Sequence, residues 1–494
     1  MKNNSQNNLR WLVLLTVIVG TFLGRLDQTI VNLALPKMID TFGITVTSAG
    51  WISTAYILAN AIFVPIWGKL GDTIGRKKVY LIGFSIFILG SVLAGFAWNL
   101  SSMIVFRVIQ AIAGSADYPT AMSIIAVTFK EGKERAKALG IWSASFAAAA
   151  VFGPLIGGPL IDNFGWRSVF LINLPIGIIG IIMAMRFINE SRSQVQTKHF
   201  DWWGALALGG SLSALVLVLE KGLNWGWMSS SSLICYFVTV VLLGLFIKIE
   251  QKSQDPIVDL KFFKIPAFVN VLLNNFIVFM GMMGSMFLLP VFAQTFLGYS
   301  ATETGFLFMP MVAAMMIASV IGGNLTGKVS ARMTIFISTF IAAIGTFMFI
   351  NIDPKSTAID LIIPLMVMAF GLGLGMAQRT NIIASLVDPH EIGIASSVLA
   401  LVRNIAGAFG IAIFGTILTK STENNLMNIN YWSTLSSFDP LSIQKYVSLV
   451  SLKAQVSAYS HVFLIASFII LIGAGVSLFL RVKKENLDIK VQIE

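Results

Sequence analysis

Apolar residues run along this chain in blocks rather than in alternation. Fourteen stretches approach the roughly 20 apolar residues a helix needs to cross a bilayer. Their approximate positions are 11–33, 50–68, 79–98, 102–128, 138–160, 166–187, 203–220, 231–249, 268–291, 304–327, 333–351, 359–382, 393–419 and 460–481. Spans 4, 5, 12 and 13 are diluted by Gly and other small residues. An even number of crossings puts both termini on one side. With the N-terminus inside, roughly 24 Lys and Arg face the cytoplasm and roughly 7 face out, the asymmetry the positive-inside rule requires. Lys69, Arg76, Lys77, Lys78, Lys130, Lys133, Arg135, Lys137, Arg481, Lys483 and Lys484 belong to the cytoplasmic set. The predicted fold class is an all-α polytopic membrane protein of the cytoplasmic membrane, both termini cytoplasmic.

Polar segments divide the chain. Asn189 to Asp201 and Glu250 to Pro266 read as linkers flanking spans 7 and 8. A weak repeat relates the rest. Gly68-Lys69-Leu70 resembles Gly323-Asn324-Leu325, and Ser123-Ile124-Ile125-Ala126 resembles Asn381-Ile382-Ile383-Ala384 at nearly the same offset. Two parallel six-span halves, a transporter architecture, account for it. The predicted domains are 1–188 and 267–494 as the halves, with linkers and inserted spans in 189–266. An external loop is predicted over 420–459. Within it, Asp439-Pro440 reads as a helix start, with Pro at the first helical position. The following apolar residues suit either a short surface helix or an ordinary loop.

Composition excludes several classes. Of 494 residues 56% are hydrophobic and 12% charged, about half the 25% charged of a soluble domain. The net charge of +11 is spread over short loops, so it reports topology and not nucleic acid. Cys235 is the only cysteine, so no internal disulfide forms, and His199, His390 and His461 show no metal-ligand spacing. The first apolar run has no small-residue cleavage site and is expected to be an uncleaved span. No nucleophile motif or phosphate-binding Walker loop is present, which argues against an enzyme and against a built-in ATPase.

Four stretches carry candidate chemistry. Gly68-Lys69-Leu70-Gly71-Asp72-Thr73-Ile74-Gly75-Arg76-Lys77-Lys78 joins spans 2 and 3, its glycines permitting a tight turn. Asp27, in Leu26-Asp27-Gln28-Thr29, lies inside span 1, where a carboxylate is costly and functional by default. Arg107, in Phe106-Arg107-Val108-Ile109-Gln110-Ala111, lies near one end of span 4. It either faces an acid or a wet cavity, or snorkels to the outer interface. Gly153-Pro154-Leu155-Ile156-Gly157-Gly158-Pro159 sets two glycines four apart on one face of span 5. That spacing lets helices approach closely.

Each stretch resembles a signature of one family. The Gly68–Lys78 loop resembles the signature loop of the major facilitator superfamily. The Asp27 run closely resembles the first-span signature of its fourteen-span drug:proton antiporters, the EmrB/QacA type. The Arg107 stretch resembles the family's Arg-Gly motif, with Ala111 where a glycine is usual, and Gly153–Leu160 closely resembles its antiporter motif. Asp201-Trp202-Trp203-Gly204 is similar to the family's lead-in to the inserted pair, and Ile392–Ser397 with Arg403 to its segment leading into span 13. The resemblance implies a major facilitator fold of two six-helix halves plus two inserted helices.

It also implies roles. Asp27 and Arg107 would couple protons, Gly68, Asp72, Gly75 and Arg76 would latch the halves on the cytoplasmic face, and Gly153, Pro154, Gly157 and Gly158 would mark an exporter. Arg25 and Asp117 depart from the family pattern. They are read as an ion pair across spans 1 and 4, sharing the cavity with Asp27 and Arg107, and Arg25 casts doubt on a strictly cationic cargo. Glu220 is read as interfacial, Arg379 and Arg403 as further cavity candidates. Met280, Met282, Met283, Met286, Met309, Met311, Met315 and Met316 suit either a promiscuous cavity or plain packing.

The expected function is proton-coupled export of amphipathic small molecules by alternating access. The coupling ion is the proton and no other cofactor is implied. The expected partners are a small amphipathic substrate and the bilayer, plus a periplasmic adaptor if the cell is Gram-negative. Export of an endogenous lipid precursor, siderophore or peptide is the alternative on the same fold. A non-transporting receptor or assembly factor is the alternative of another class.

Overall fold

The structure, a computed structural model, describes residues 2–129, 132–191, 201–253, 258–325, 328–387, 392–430 and 440–480. The side chains of Asp72 and Glu220 lie outside the described residues. All regular structure among the described residues is helical: α1 Lys2–Phe42, α2 Val46–Ile74, α3 Arg76–Gly95, α4 Leu100–Gly114, α5 Asp117–Thr128, α6 Gly132–Phe164, α7 Ser168–Leu171, α8 Asn173–Phe187, α9 Trp202–Trp225, α10 Ser230–Lys252, α11 Pro266–Phe296, α12 Ala301–Asn324, α13 Ala331–Phe347, α14 Ala358–Ser385, α15 Ile392–Asn430 and α16 Pro440–Ser477. Eleven helical stretches among them are long and apolar enough to cross a membrane, counting α7 and α8 together.

Two stretches read as single spans are broken, and proline is the reason. Pro119 has no N–H for the Ser115 carbonyl and its ring crowds that carbonyl, so α4 ends at Gly114 and α5 begins at Asp117. Pro175 stands in the same relation to Leu171, where α7 ends. Of the segment read as a loop over 420–459, the described residues 420–430 and 440–459 are helical, contrary to the sequence reading. Helix α15 continues to Asn430, with Lys420 and Glu423 paired at 3.7 Å on one face. Pro440 opens α16, which runs unbroken to Ser477 rather than forming a separate surface helix. The two helices meet where Asn425 Nδ2 donates to the Ala454 carbonyl at 3.1 Å.

Helices α1 to α8 pack as one bundle and α11 to α16 as another. Where α6 meets α12, α2 meets α15 and α1 meets α11, the bundles touch. Helix α9 lies along α2 and α15, and α10 packs on α9. Phe237 and Val240 of α10 are each 69% exposed, so that helix turns its apolar surface to lipid rather than to protein. The main core runs through both bundles, from Val17 and Leu26 of α1 to Phe287 of α11 and Phe463 of α16.

Candidate functional site

Deep in the first bundle, Asp27 is 1% and Arg107 2% exposed. Arg107 Nη1 donates to Asp27 Oδ2 at 2.6 Å. Gln110, three residues on and therefore on the same face of α4, donates from Nε2 to Asp27 Oδ1 at 3.0 Å and accepts from Arg107 Nη1 at 2.7 Å. Asn173, first residue of α8, donates to the same Oδ1 at 2.9 Å and to Ser91 Oγ at 2.8 Å. Ser91 in turn donates to the Phe170 carbonyl at 2.9 Å. The Arg107 guanidinium carbon stands 4.0 Å from the centroid of the Tyr56 ring, a cation–π contact. Arg107 therefore does not snorkel. Its charge is met inside the bundle by a carboxylate whose two oxygens are both hydrogen-bonded. Asp27 of α1, its donors on α4 and α8 and Ser91 of α3 tie four helices together, so the pair reports on how they sit.

No ion pair joins Arg25 to Asp117 among the described residues, contrary to the sequence reading. Arg25 Nη1 donates to Gln28 Oε1 at 3.3 Å. Asp117 lies beside the Thr21 side chain and within the field of Arg25. Its Oδ1 is buried with no hydrogen-bond partner. It borders a cavity of about 10 Å³ lined by Gly20, Gly24, Tyr80, Phe87, Gly114 and others. Tyr80 spends its hydroxyl proton on the Thr16 carbonyl at 3.2 Å.

The antiporter-like stretch sits at the junction of the bundles. A Cβ on Gly153 would overlap the Thr29 side chain and one on Gly157 the Ile30 side chain, so this face of α6 lies against α1. A Cβ on Gly158 would overlap the backbone of Thr302, and one on Gly305 would fall 2.6 Å from the Pro154 carbonyl oxygen. Backbone thus meets backbone between α6 and α12. One turn further, Asp162 Oδ1 accepts from the Ala301 N–H at 3.0 Å, and Oδ2 accepts from the Thr302 N–H at 2.9 Å and hydroxyl at 2.6 Å. A carboxylate of the first half therefore caps the positive N-terminus of a helix in the second. Nearby, Gln294 Nε2 donates to the Leu33 carbonyl at 3.0 Å and Thr47 Oγ1 to the Gly415 carbonyl at 2.8 Å. These contacts close the end of the molecule opposite the Gly68–Lys78 loop.

Burial raises the Asp162 carboxyl, but the Thr302 hydroxyl, the Thr302 and Ala301 N–H groups and Ser300 outweigh it and hold the group below its ordinary value. The sign follows. The carboxylate's contribution is complete above the ordinary carboxylate range and is lost only as pH falls through the lowered value. From about pH 5 to 8 the closure is expected to be insensitive to Asp162 titration. Asp162→Asn replaces one acceptor by a donor facing donors. In a Cys235→Ser background it is expected to raise, several-fold, the labelling of Ser53→Cys by an impermeant thiol reagent applied on the side of this end. Unchanged labelling would show that Asp162 does not hold this end shut.

The Gly68–Lys78 loop is a one-residue turn at Gly75, whose φ of +120° favours glycine. Glu190, which the sequence reading gave no role, caps the start of α3: its carboxylate accepts from the N–H groups of Lys77 at 3.1 Å and Lys78 at 3.2 Å. The Arg76 N–H donates to the Ser191 carbonyl at 3.0 Å. Gly68 lies against Pro119 of α5. Glu190, Ser191 and Pro119 belong to the same half as this loop, and the Asp72 side chain lies outside the described residues.

In the second half Arg379 is 1% exposed. Its Nε donates to Asn274 Oδ1 at 2.8 Å and its Nη2 to Thr339 Oγ1 at 3.0 Å. Asn274 also donates to the Gly473 carbonyl at 2.7 Å. An amide here receives the guanidinium that a carboxylate receives in the first half. The Arg403 guanidinium carbon lies 4.6 Å from the Phe279 ring centroid. The methionines divide: Met282 and Met311 are core, and Met316 is 49% exposed on the outer surface.

Two packed helical bundles, with eleven stretches long and apolar enough to cross a membrane and a charged pair buried inside the first, define a polytopic membrane protein. The sequence model of the Major Facilitator Superfamily matches residues 17–411. This chain belongs to that superfamily. It is 33% identical over 427 residues to the multidrug transporter protein MdtP of Bacillus subtilis, covering 86% of this chain and 78% of that one. It is 30% identical over 407 residues to the multidrug export protein EmrB of Haemophilus influenzae, covering 81% and 79%. Among solved structures it is similar in fold to a bacterial homolog of the human lysosomal transporter Spinster. The TM-score is 0.70 at 18% identity, covering 96% of this chain and 99% of that one.

Proposed function

We propose that this protein exports amphipathic small molecules from the cytoplasm in exchange for protons, and that Asp27 carries the coupling proton. The buried Asp27–Arg107 pair is the observation that carries this reading. A proton arriving on Asp27 cancels the charge that holds Arg107, and the hydrogen bonds through Gln110 and Asn173 pass the change to α3, α4 and α8. The same four helices set the shape of the first half, so a change of charge at one carboxylate biases how the halves meet. The chain would cross the cytoplasmic membrane fourteen times with both termini inside, the eleven apolar stretches being joined by α4–α5, α6 and α9. The closed end, with Asp162 on α12, is then the outer one. Each proton moved across 100 mV supplies about 2.3 kcal/mol before any pH gradient is counted.

Similarity to MdtP and EmrB supports a drug-like cargo. In inverted membrane vesicles, an imposed gradient, acid inside, is expected to drive accumulation of a fluorescent amphipathic dye, and nigericin to abolish it. Accumulation that ignores the gradient but follows ATP or sodium would exclude proton antiport.

A further inference from the structure

We propose that the cavity between α15, α16 and the turn joining α9 to α10 binds the phosphate of an anionic membrane lipid. The cavity has a volume of about 360 Å³. Ligand pockets span roughly 300–1,000 Å³, so it suits a headgroup rather than a whole drug. Lys420, Ser421 and Asn424 of α15 and His461 of α16 supply its polar lining. Ser421 Oγ and His461 Nδ1 are hydrogen-bonded at 2.9 Å, which joins the two helices and leaves the ring's Nε2 for a ligand. Trp227, Ile417 and Ile465 supply the apolar lining.

The donors suit an anion. Among the described residues, none that lines the cavity is acidic. Lys420 reaches Glu423 at 3.7 Å with both side chains nearly half exposed, and such pairs hold little. A phosphate would draw charge-assisted hydrogen bonds from a cation that has only this loose contact. Depth selects a lipid. The uncharged run 404–419 ends at Lys420, and the uncharged run 462–480 starts after His461. Both residues therefore stand where a span meets the headgroups, the level at which Trp is enriched and where Trp227 joins them. Ile417 and Ile465 continue inward, where acyl chains lie. That this is the outer leaflet rests on the fourteen-span topology proposed above.

The cavity adjoins the closure of the bundles. Thr47 of α2 bonds the Gly415 carbonyl and the Thr419 hydroxyl, which stand one turn apart on α15. Thr416 and Lys420 form the adjacent stripe of the same turn, and Thr416 donates to the Leu219 carbonyl of α9 at 3.2 Å. A lipid held by α15, α16 and the α9–α10 turn would steady the stretch of α15 on which α2 closes, and so favour the closed state of this end.

The test is thermal unfolding of the full-length protein in detergent, titrated with dioctanoyl phosphatidylglycerol, dioctanoyl phosphatidylcholine or glycerol 1-phosphate. Phosphatidylglycerol is expected to raise the midpoint in a saturable way and phosphatidylcholine to do so weakly. Lys420→Gln and His461→Gln are expected to raise the concentration needed roughly tenfold. Lys420→Arg should retain the response and guards against a merely misfolded variant. Lys453→Gln, which removes a cation of α16 outside the cavity lining, should leave it unchanged. Equal shifts by both lipids, or a phosphatidylglycerol response that survives in both Gln variants, would overturn the site. A shift by glycerol 1-phosphate at the same concentrations as the lipid would overturn the lipid assignment in favour of a soluble phosphate. Bound phosphatidylglycerol should also lower the labelling of Ser53→Cys several-fold in the Cys235→Ser background, and unchanged labelling would overturn the link to closure. Neither readout involves a proton or a cargo, so this site can fail while proton antiport stands, and the reverse.

Discussion

Asp27→Asn is expected to leave a protein that binds and exchanges its cargo but no longer concentrates it against a gradient. The amide keeps the shape of the carboxyl and can still accept from Gln110 or Asn173, so the cluster of α1, α3, α4 and α8 persists. What it loses is the site a proton would occupy. It also strands Arg107, and removing one partner of a buried ion pair costs about 3–5 kcal/mol. The retained hydrogen bonds should bring the loss toward the lower end of that range. Arg107→Gln strands the other partner, and there chemistry offers an escape: a carboxyl can bind a proton, whereas a guanidinium stays charged. Asp27→Asn should therefore lower the unfolding midpoint more than Arg107→Gln does. The double variant should recover part of the loss, since neither charge is then left alone. A double variant that adds the two single losses would show that the pair is not energetically coupled.

Gly158→Val is expected to reduce transport by roughly tenfold or more while the protein remains folded. A Cβ at this position overlaps the backbone of Thr302. Backbone at a helix N-terminus cannot step aside as a flexible side chain can, and closely packed interiors relax only in part. The overlap lies between the bundles, so each bundle still forms, but the end closed by Asp162 would be held open. A population shift of about 1.4 kcal/mol is tenfold, less than overpacking usually costs. Ser53→Cys should then label from outside as readily as it does with Asp162→Asn. Gly153→Val tests the other face, because its clash is with the Thr29 side chain of the same half. It should impair folding more than it opens the outer end.

Much of this arrangement is legible in the sequence because charge inside apolar blocks is conspicuous. Asp27, Arg107, Arg379 and Arg403 stand out for that reason. Their partners do not, because composition along the chain carries no record of which helices are neighbours. Arg25 and Asp117 looked like a pair since both break the family pattern. The structure gives Asp27 to Arg107 instead and bonds Arg25 to Gln28. Gln110, Asn173 and Ser91 were missed because a neutral polar residue costs less in a helix and raises no flag. Their signal was position: Gln110 is one helical turn from Arg107, and Asn173 interrupts an apolar run. The breaks in spans 4 and 6 were legible from Pro119 and Pro175, each four residues after the carbonyl it deprives. The segment 420–459 misled because its polar residues were read as loop, whereas nothing from Lys420 to Asn430 stops a helix. Asp162 could be seen at the end of span 5. Its role depends on Thr302, 140 residues away, and only the packed structure brings them together.

The central claim is that Asp27 holds the exchangeable proton. The most direct measurement is the pH change when a transported compound is added to purified protein in unbuffered solution. Wild type is expected to release protons in a saturable way, with the same concentration dependence as binding. Asp27→Asn is expected to bind the compound and release none. Proton release by the Asn variant equal to that of wild type would contradict the account and move the coupling site elsewhere, with Asp117, whose Oδ1 is buried without a hydrogen-bond partner, the next carboxyl to test.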